Sequence, residues 1–288
     1  MYMGKGYGFQ PEAGVALASE MFGMPNDTHF GFLPEEALSG FAVSDTDNAV
    51  VSMQVPTKSK SLRFVVSMGL LHEFLDAVRK DYAVFPFGPD LTALNSMVYY
   101  DVPGFRLFRD HMNGKAARCQ VKLKDAQGNQ SPKFEVKFRS NKGVTEKHFL
   151  AFDKDFNPLF TGEVADKFHQ LTGVAVTDLS PALSSGSDKF ILLNSDHLER
   201  IEVDAGLRFA LPGSREDGLV IPLAVVRISG IPEIGSEATR FFQRRSIRTL
   251  SFSRYMLGGS FLLKGQKSNR YKNKIRQIQK IVQYEPAC

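Results

Sequence analysis

Arg118-Cys119-Gln120-Val121-Lys122-Leu123-Lys124 and Lys133-Phe134-Glu135-Val136-Lys137-Phe138-Arg139 are the two stretches that decide how this chain folds. Both alternate charged or polar residues with apolar ones. In an extended chain successive side chains point to opposite faces, so a period of two marks a strand with one face on a core. Lys122 and Lys124 share a face, with Val121 and Leu123 opposite. Lys133, Glu135, Lys137 and Arg139 likewise share a face, backed by Phe134, Val136 and Phe138. Asp125 to Pro132 and Asn141-Lys142-Gly143 read as turns, and Val144 to Phe152 continues as a third strand. Three strands joined by tight turns make an antiparallel meander.

Outward from the meander the same reasoning finds further elements. Leu62 to Val66, Asn95 to Tyr100, Leu207 to Phe209 and Leu219 to Ile228 read as strands. Lys189 to Asn194 and Glu199 to Asp204 read as a hairpin that follows a Ser/Gly-rich loop at Ser184 to Ser187. In the second arm Arg200, Glu202 and Asp204 share a face, with Ile201 and Val203 behind. Apolar residues at helical spacing predict helices over Met68 to Tyr82, Phe105 to Met112, Thr161 to Leu171 and Glu237 to Arg245. A basic tail helix over Tyr271 to Ile281 turns Ile275, Ile278 and Ile281 or Val282 inward. Residues 1–55 carry short helical pieces at Pro11 to Met21 and Pro34 to Ala37 and no legible chemistry, so they read as an extension or cap.

Composition sets the outer bounds. The chain has 288 residues, 43% hydrophobic and 23% charged, with 24 phenylalanines and no tryptophan. That suits one large domain or two small ones with ample core. A net charge of +5 suits an anionic partner without naming it. Cys119 and Cys288 give neither a disulfide framework nor metal-ligand spacing, which points to a reducing compartment. Met1 to Gln10 lacks a signal-like apolar run, and no stretch of about 18 apolar residues occurs, so a soluble cytoplasmic protein without a membrane span is expected.

One charged strand face is ordinarily a solvent face. Several strands repeat the pattern here. If the sheet closes and helices cover its apolar outside, the basic faces point inward. Unpaired cations inside a barrel are costly unless the interior is wet or holds an anion. Lysines and arginines converging from separate strands are what a triphosphate requires, because its charge is spread over many oxygens.

The ordered pieces Leu62-Arg63-Phe64-Val65-Val66, Asn95 to Asp101, Phe105 to Gly114, Val121-Lys122-Leu123-Lys124 and Phe134-Glu135-Val136-Lys137 carry a likeness to a known family. So do Arg200-Ile201-Glu202-Val203-Asp204, Ser253-Arg254-Tyr255 and Asn269 to Arg276. Together they resemble the VTC-type domain of polyphosphate polymerases, in the triphosphate tunnel metalloenzyme superfamily. The resemblance implies an α+β fold, a closed antiparallel eight-stranded β-barrel with peripheral helices, spanning residues 56–283 and including the basic tail helix. It implies transfer of the γ-phosphate of ATP to a polyphosphate chain with divalent Mn or Mg. By position it assigns catalytic roles to Lys122, Lys124, Lys137 and Arg200, substrate contacts to Arg63, Lys147, Lys189 and Arg254, and a metal contact to Glu135. A cross-strand salt bridge from Glu135 to Lys122 or Lys124 is the alternative for that carboxylate. The expected ligand is ATP or polyphosphate rather than nucleic acid. Two departures stand out. The late strand reads Val225-Val226-Arg227-Ile228-Ser229 where the family carries a metal-binding Glu-x-Lys, and Ser61 replaces a glutamate on the first strand. A tunnel that binds or senses phosphate chains while catalysing poorly is therefore the alternative function.

Overall fold

The computed structural model describes residues 34–44, 61–124, 133–151, 158–194, 199–212, 218–230, 235–266 and 269–283. The helical piece expected at residues 11–21 and the turn at 125–132 lie outside them. In chain order the strands are β1 (Ala42–Val43), β2 (Ser61–Ser67), β3 (Ala83–Val84), β4 (Ala93–Leu94), β5 (Met97–Asp101) and β6 (Arg118–Lys124). They continue as β7 (Lys133–Arg139), β8 (Thr145–Leu150), β9 (Ser180–Asn194), β10 (Glu199–Ala210) and β11 (Gly218–Ser229). The helices are α1 (Pro34–Leu38), α2 (Met68–Val78), α3 (Arg106–Met112), α4 (Gly162–Thr172), α5 (Glu237–Arg244), α6 (Arg254–Leu262) and α7 (Lys272–Val282).

All eleven strands belong to one sheet, whose main path runs β2-β11-β10-β9-β5-β6-β7-β8. The pairings along this path are antiparallel. The meander pairs in the register that alternation requires, Lys122 opposite Glu135 and Val121 opposite Val136. The sheet is not closed, which corrects the expected barrel: β2 and β8 end the path and do not pair with each other. The outer edge of β2 shows why. The carbonyl of Arg63 accepts a hydrogen bond from the backbone N–H of Leu250 at 2.9 Å, so the segment leading into α6 occupies the edge that closure would need. At the other end β8 is short, and its Phe149 stays 63% exposed.

Helices cover the convex face, where the apolar halves of the alternation lie. Phe64 and Val66 of β2, with Ile201 and Val203 of β10, pack beneath α2 and α5. Phe242 stacks on Phe64 with ring centroids 4.0 Å apart. Cys119, Val121, Phe134, Val136 and Phe138 pack with Phe168 of α4. A fully buried phenylalanine of this kind contributes about 1.5–3 kcal/mol.

The concave face is divided. At one end Val65, Leu207, Phe209, Leu223 and Val225 bury against Tyr255, Met256 and Leu257 of α6. The approach is so close that a Cβ on Gly258 would lie 2.3 Å from the Phe209 ring, which explains the glycine. At the other end the concave face is charged. The change happens within β10 itself. Its register slips between Ala205 and Leu207, and Gly206 adopts φ +63° there. This bulge inverts the alternation, so Arg200, Glu202 and Asp204 precede it on the concave side and Leu207 and Phe209 follow it there. The Ser184 to Ser187 stretch expected as a loop is instead part of β9, paired with both β5 and β10. No helix among the described residues is long and apolar enough to cross a membrane.

Candidate functional site

The charged half of the concave face encloses a cavity of about 930 Å³. Strands β2, β5, β6, β7, β8, β9, β10 and β11 all contribute lining residues, as does the start of α6. Eleven of the lining residues are lysine or arginine, against two carboxylates, Glu202 and Asp204.

On the meander side Arg118, Lys122, Lys124, Lys133, Lys137 and Arg139 face the space. One carboxylate supports them. Glu135 is buried between Lys122, 3.0 Å away, and Lys124, 3.7 Å away. Burial works to raise the Glu135 carboxyl, and the two ammonium groups outweigh it, holding its pKa below the ordinary value. Burial, followed by the charge of Lys124, brings Lys122 down to about 8 despite Glu135. Burial and the facing Lys147 also lower Lys137, which has no ion pair among the described residues. His111, at the end of α3, lines the same region. Burial and the nearby charges of Arg118, Lys137 and Arg139 depress it to about 4, so it is neutral near pH 7.

On the long-strand side both carboxylates are already engaged. Glu202 lies 3.1 Å from Arg200, 3.4 Å from Lys189 and 3.7 Å from Arg227. Asp204 meets Arg254 at 2.8 Å and accepts hydrogen bonds from Asn95 at 2.6 Å and Ser187 at 3.2 Å. Burial opposes ionisation of both, yet both carboxyls are held below their ordinary pKa by these partners. Arg63 of β2 stands opposite Arg227 of β11, and burial and that neighbouring charge lower its pKa.

Arg254 reaches the cavity because α6 is fixed at its start. Ser253 caps the helix, its Oγ accepting from the Met256 N–H at 3.4 Å. Tyr255, directly after Arg254, donates to Asp101 at 2.6 Å. Asp101 is buried at the end of β5 and also accepts from the N–H groups of Leu107 and Phe108, tying α3 and α6 to one carboxylate.

The structure thus brings seven of the sequence-nominated residues together: Arg63, Lys122, Lys124, Lys137, Lys189, Arg200 and Arg254. Lys147 pairs in register with Lys137 but stands exposed on the edge strand, outside the cavity lining. Glu135 makes the salt bridges that were its alternative reading. Sequence reasoning did not nominate Arg118, Lys133, Arg139, Arg227 or His111. The first three lie on the same alternating faces as the nominated lysines and could have been found from that pattern. His111 enters by the packing of α3 and has no local signal.

Residues for a divalent metal do not fit. Hard cations need several oxygen ligands, and no group of three or more His, Cys, Asp or Glu able to hold a metal occurs among the described residues. Glu135 is isolated between lysines. On β11 the concave side presents Val225 and Arg227, opposite Asp204 and Glu202.

An antiparallel sheet curved around a basic cavity, with its apolar outside covered by helices, defines the class of fold. The chain belongs to the VTC domain family, whose domain model matches residues 58–262. No curated protein matches it. Among solved structures it is similar to a candidate adenylate cyclase of Bacillus halodurans, at 12% identity and TM-score 0.40, over 68% of this chain and 93% of that one. It is also similar to a candidate adenylyl cyclase of Hippeastrum, described as having a dominant triphosphatase activity, at 13% identity and TM-score 0.41, over 70% of this chain and 95% of that one. The family assignment rests on the domain match.

Proposed function

We propose that the cavity receives the phosphate chain of inorganic polyphosphate or a nucleoside triphosphate, and that the protein binds this chain rather than extending it. The observation that carries the reading is the convergence of eleven cationic side chains on one space where each carboxylate is already neutralised. Such an excess is costly unless an anion offsets it, and a phosphate chain would do so with charge-assisted hydrogen bonds. Membership of the VTC domain family supports the same ligand class. Elongation from ATP is less well supported, because metal-assisted phosphoryl transfer needs carboxylates free to hold the ion.

Calorimetry of the full chain with sodium tripolyphosphate, in low salt with EDTA and again with Mn²⁺, tests the reading. Binding in at least one condition is expected. Absence of binding in both overturns it. A gel of the products from ATP and Mn²⁺ is expected to show no long phosphate chains, and their appearance would make the protein a polymerase.

A further inference from the structure

We propose that the cavity selects a phosphate chain free of divalent metal, with Arg227 supplying positive charge from within the protein. The proposal rests on the phosphate-chain reading above and adds which form of the anion is bound.

The carboxylates decide it. Three cations surround Glu202, namely Arg200, Lys189 and Arg227 at 3.1, 3.4 and 3.7 Å. Asp204 is held by Arg254 at 2.8 Å and by hydrogen bonds from Asn95 and Ser187. Glu135 is held by Lys122 and Lys124. An entering Mg²⁺ would have to displace these partners and would leave lysines and arginines unpaired in a space already in cationic excess. A chain arriving with Mg²⁺ on its oxygens would carry less negative charge to the cations and bring positive charge of its own toward them. Both effects lower affinity for the metal complex.

The position of Arg227 makes the substitution of charge concrete. It stands across from Glu202 on one neighbouring strand and Arg63 on the other. Its side chain remains 38% exposed, so the guanidinium borders open space. A guanidinium can contact phosphate oxygens in pairs without the dehydration that a hard metal demands.

Titration of the full chain with sodium tripolyphosphate at constant ionic strength, in EDTA and then with Mg²⁺ in excess over the ligand, reads the effect. Affinity is expected to fall roughly tenfold or more with Mg²⁺, about 1.4 kcal/mol per tenfold. The variant Arg227→Glu is expected to bind poorly in EDTA and to recover affinity with Mg²⁺ or Mn²⁺, because Glu202 then gains a carboxylate neighbour. Wild-type binding that requires Mg²⁺, or tightens with it, overturns the inference and leaves the phosphate-chain reading standing. No binding in either condition overturns both. The wild-type comparison decides the matter even if the variant does not fold.

Discussion

The two walls of the cavity are built from the same residue types and put them to different use. On the wall formed by β6, β7 and β8, six lining cations share the single carboxylate Glu135, and Lys137 and Arg139 have no ion pair among the described residues. On the wall formed by β9, β10, β11 and β2, Glu202 and Asp204 engage Lys189, Arg200, Arg227 and Arg254. The first wall holds cations in reserve, free of ion pairs among the described residues. The second engages four of its five cations with those two carboxylates, leaving Arg63 without an ion pair among the described residues and Arg227 partly open to the cavity, and acts as the more fixed frame. A count of basic residues would rate the walls alike, and the distribution of carboxylates separates them.

The largest expected effect of this contrast lies in the frame. Arg254 and Asp204 are 11% and 14% exposed, so the Arg254→Ala change removes the ion-pair partner of a buried carboxylate and leaves it the hydrogen bonds from Asn95 and Ser187 and the cross-strand charge of Lys189. Removing one partner of such a pair costs about 3–5 kcal/mol. A fall in Tm of many degrees is expected in thermal unfolding of the unliganded protein. An unchanged Tm would erase the distinction between the walls.

The next effect lies on the other wall and reads out in binding. Lys137→Ala removes a cation crowded by Lys147 and Arg118 without stranding an acid. Stability should hold or rise slightly, while tripolyphosphate affinity falls about ten- to hundredfold, in line with roughly 1.5–3 kcal/mol for a hydrogen bond to a charged group. Calorimetry and thermal unfolding on one preparation give both numbers. Unaltered affinity would remove Lys137 from the site.

Much of this arrangement was legible in the chain where alternation is local and strong. The faces of β6 and β7 and the helices over α2, α3, α4, α5 and α7 follow from periods of two and about 3.6 residues. The open sheet was not legible. It goes with a backbone hydrogen bond from Leu250 to Arg63, joining segments far apart in sequence, and with the early end of β8, and no side-chain pattern announces which edge a loop will occupy. The small residues at Ser184 to Ser187 have the composition of a loop, yet β5 and β10 flank them and draw them into β9. The split of the concave face turns on one bulge at Gly206, and a strict alternation carried through β10 puts Leu207 and Phe209 on the wrong side. At the site, lysines and arginines on alternating strands were found, whereas His111 and the exposed placement of Lys147 depend on tertiary packing and on where the sheet stops.

The smallest effect is a pH dependence that sharpens the contrast, because it belongs to the reserve wall alone. Burial and Lys124 bring Lys122 from 10.5 to about 8. Between those values the unfolded chain binds more protons than the folded one, so this residue's contribution makes stability rise with pH from about 8 to about 10.5. Binding should show the opposite sign. A phosphate chain favours the charged ammonium, so binding above pH 8 must take up a proton and affinity falls as pH rises, by less than about tenfold per pH unit. Long-chain polyphosphate is the suitable probe, since its inner phosphates do not titrate in this range. Lys122→Arg keeps its charge and should flatten the profile. If wild type and Lys122→Arg lose affinity in parallel above pH 8, the titrating group lies elsewhere and Lys122 is no part of the charge held in reserve.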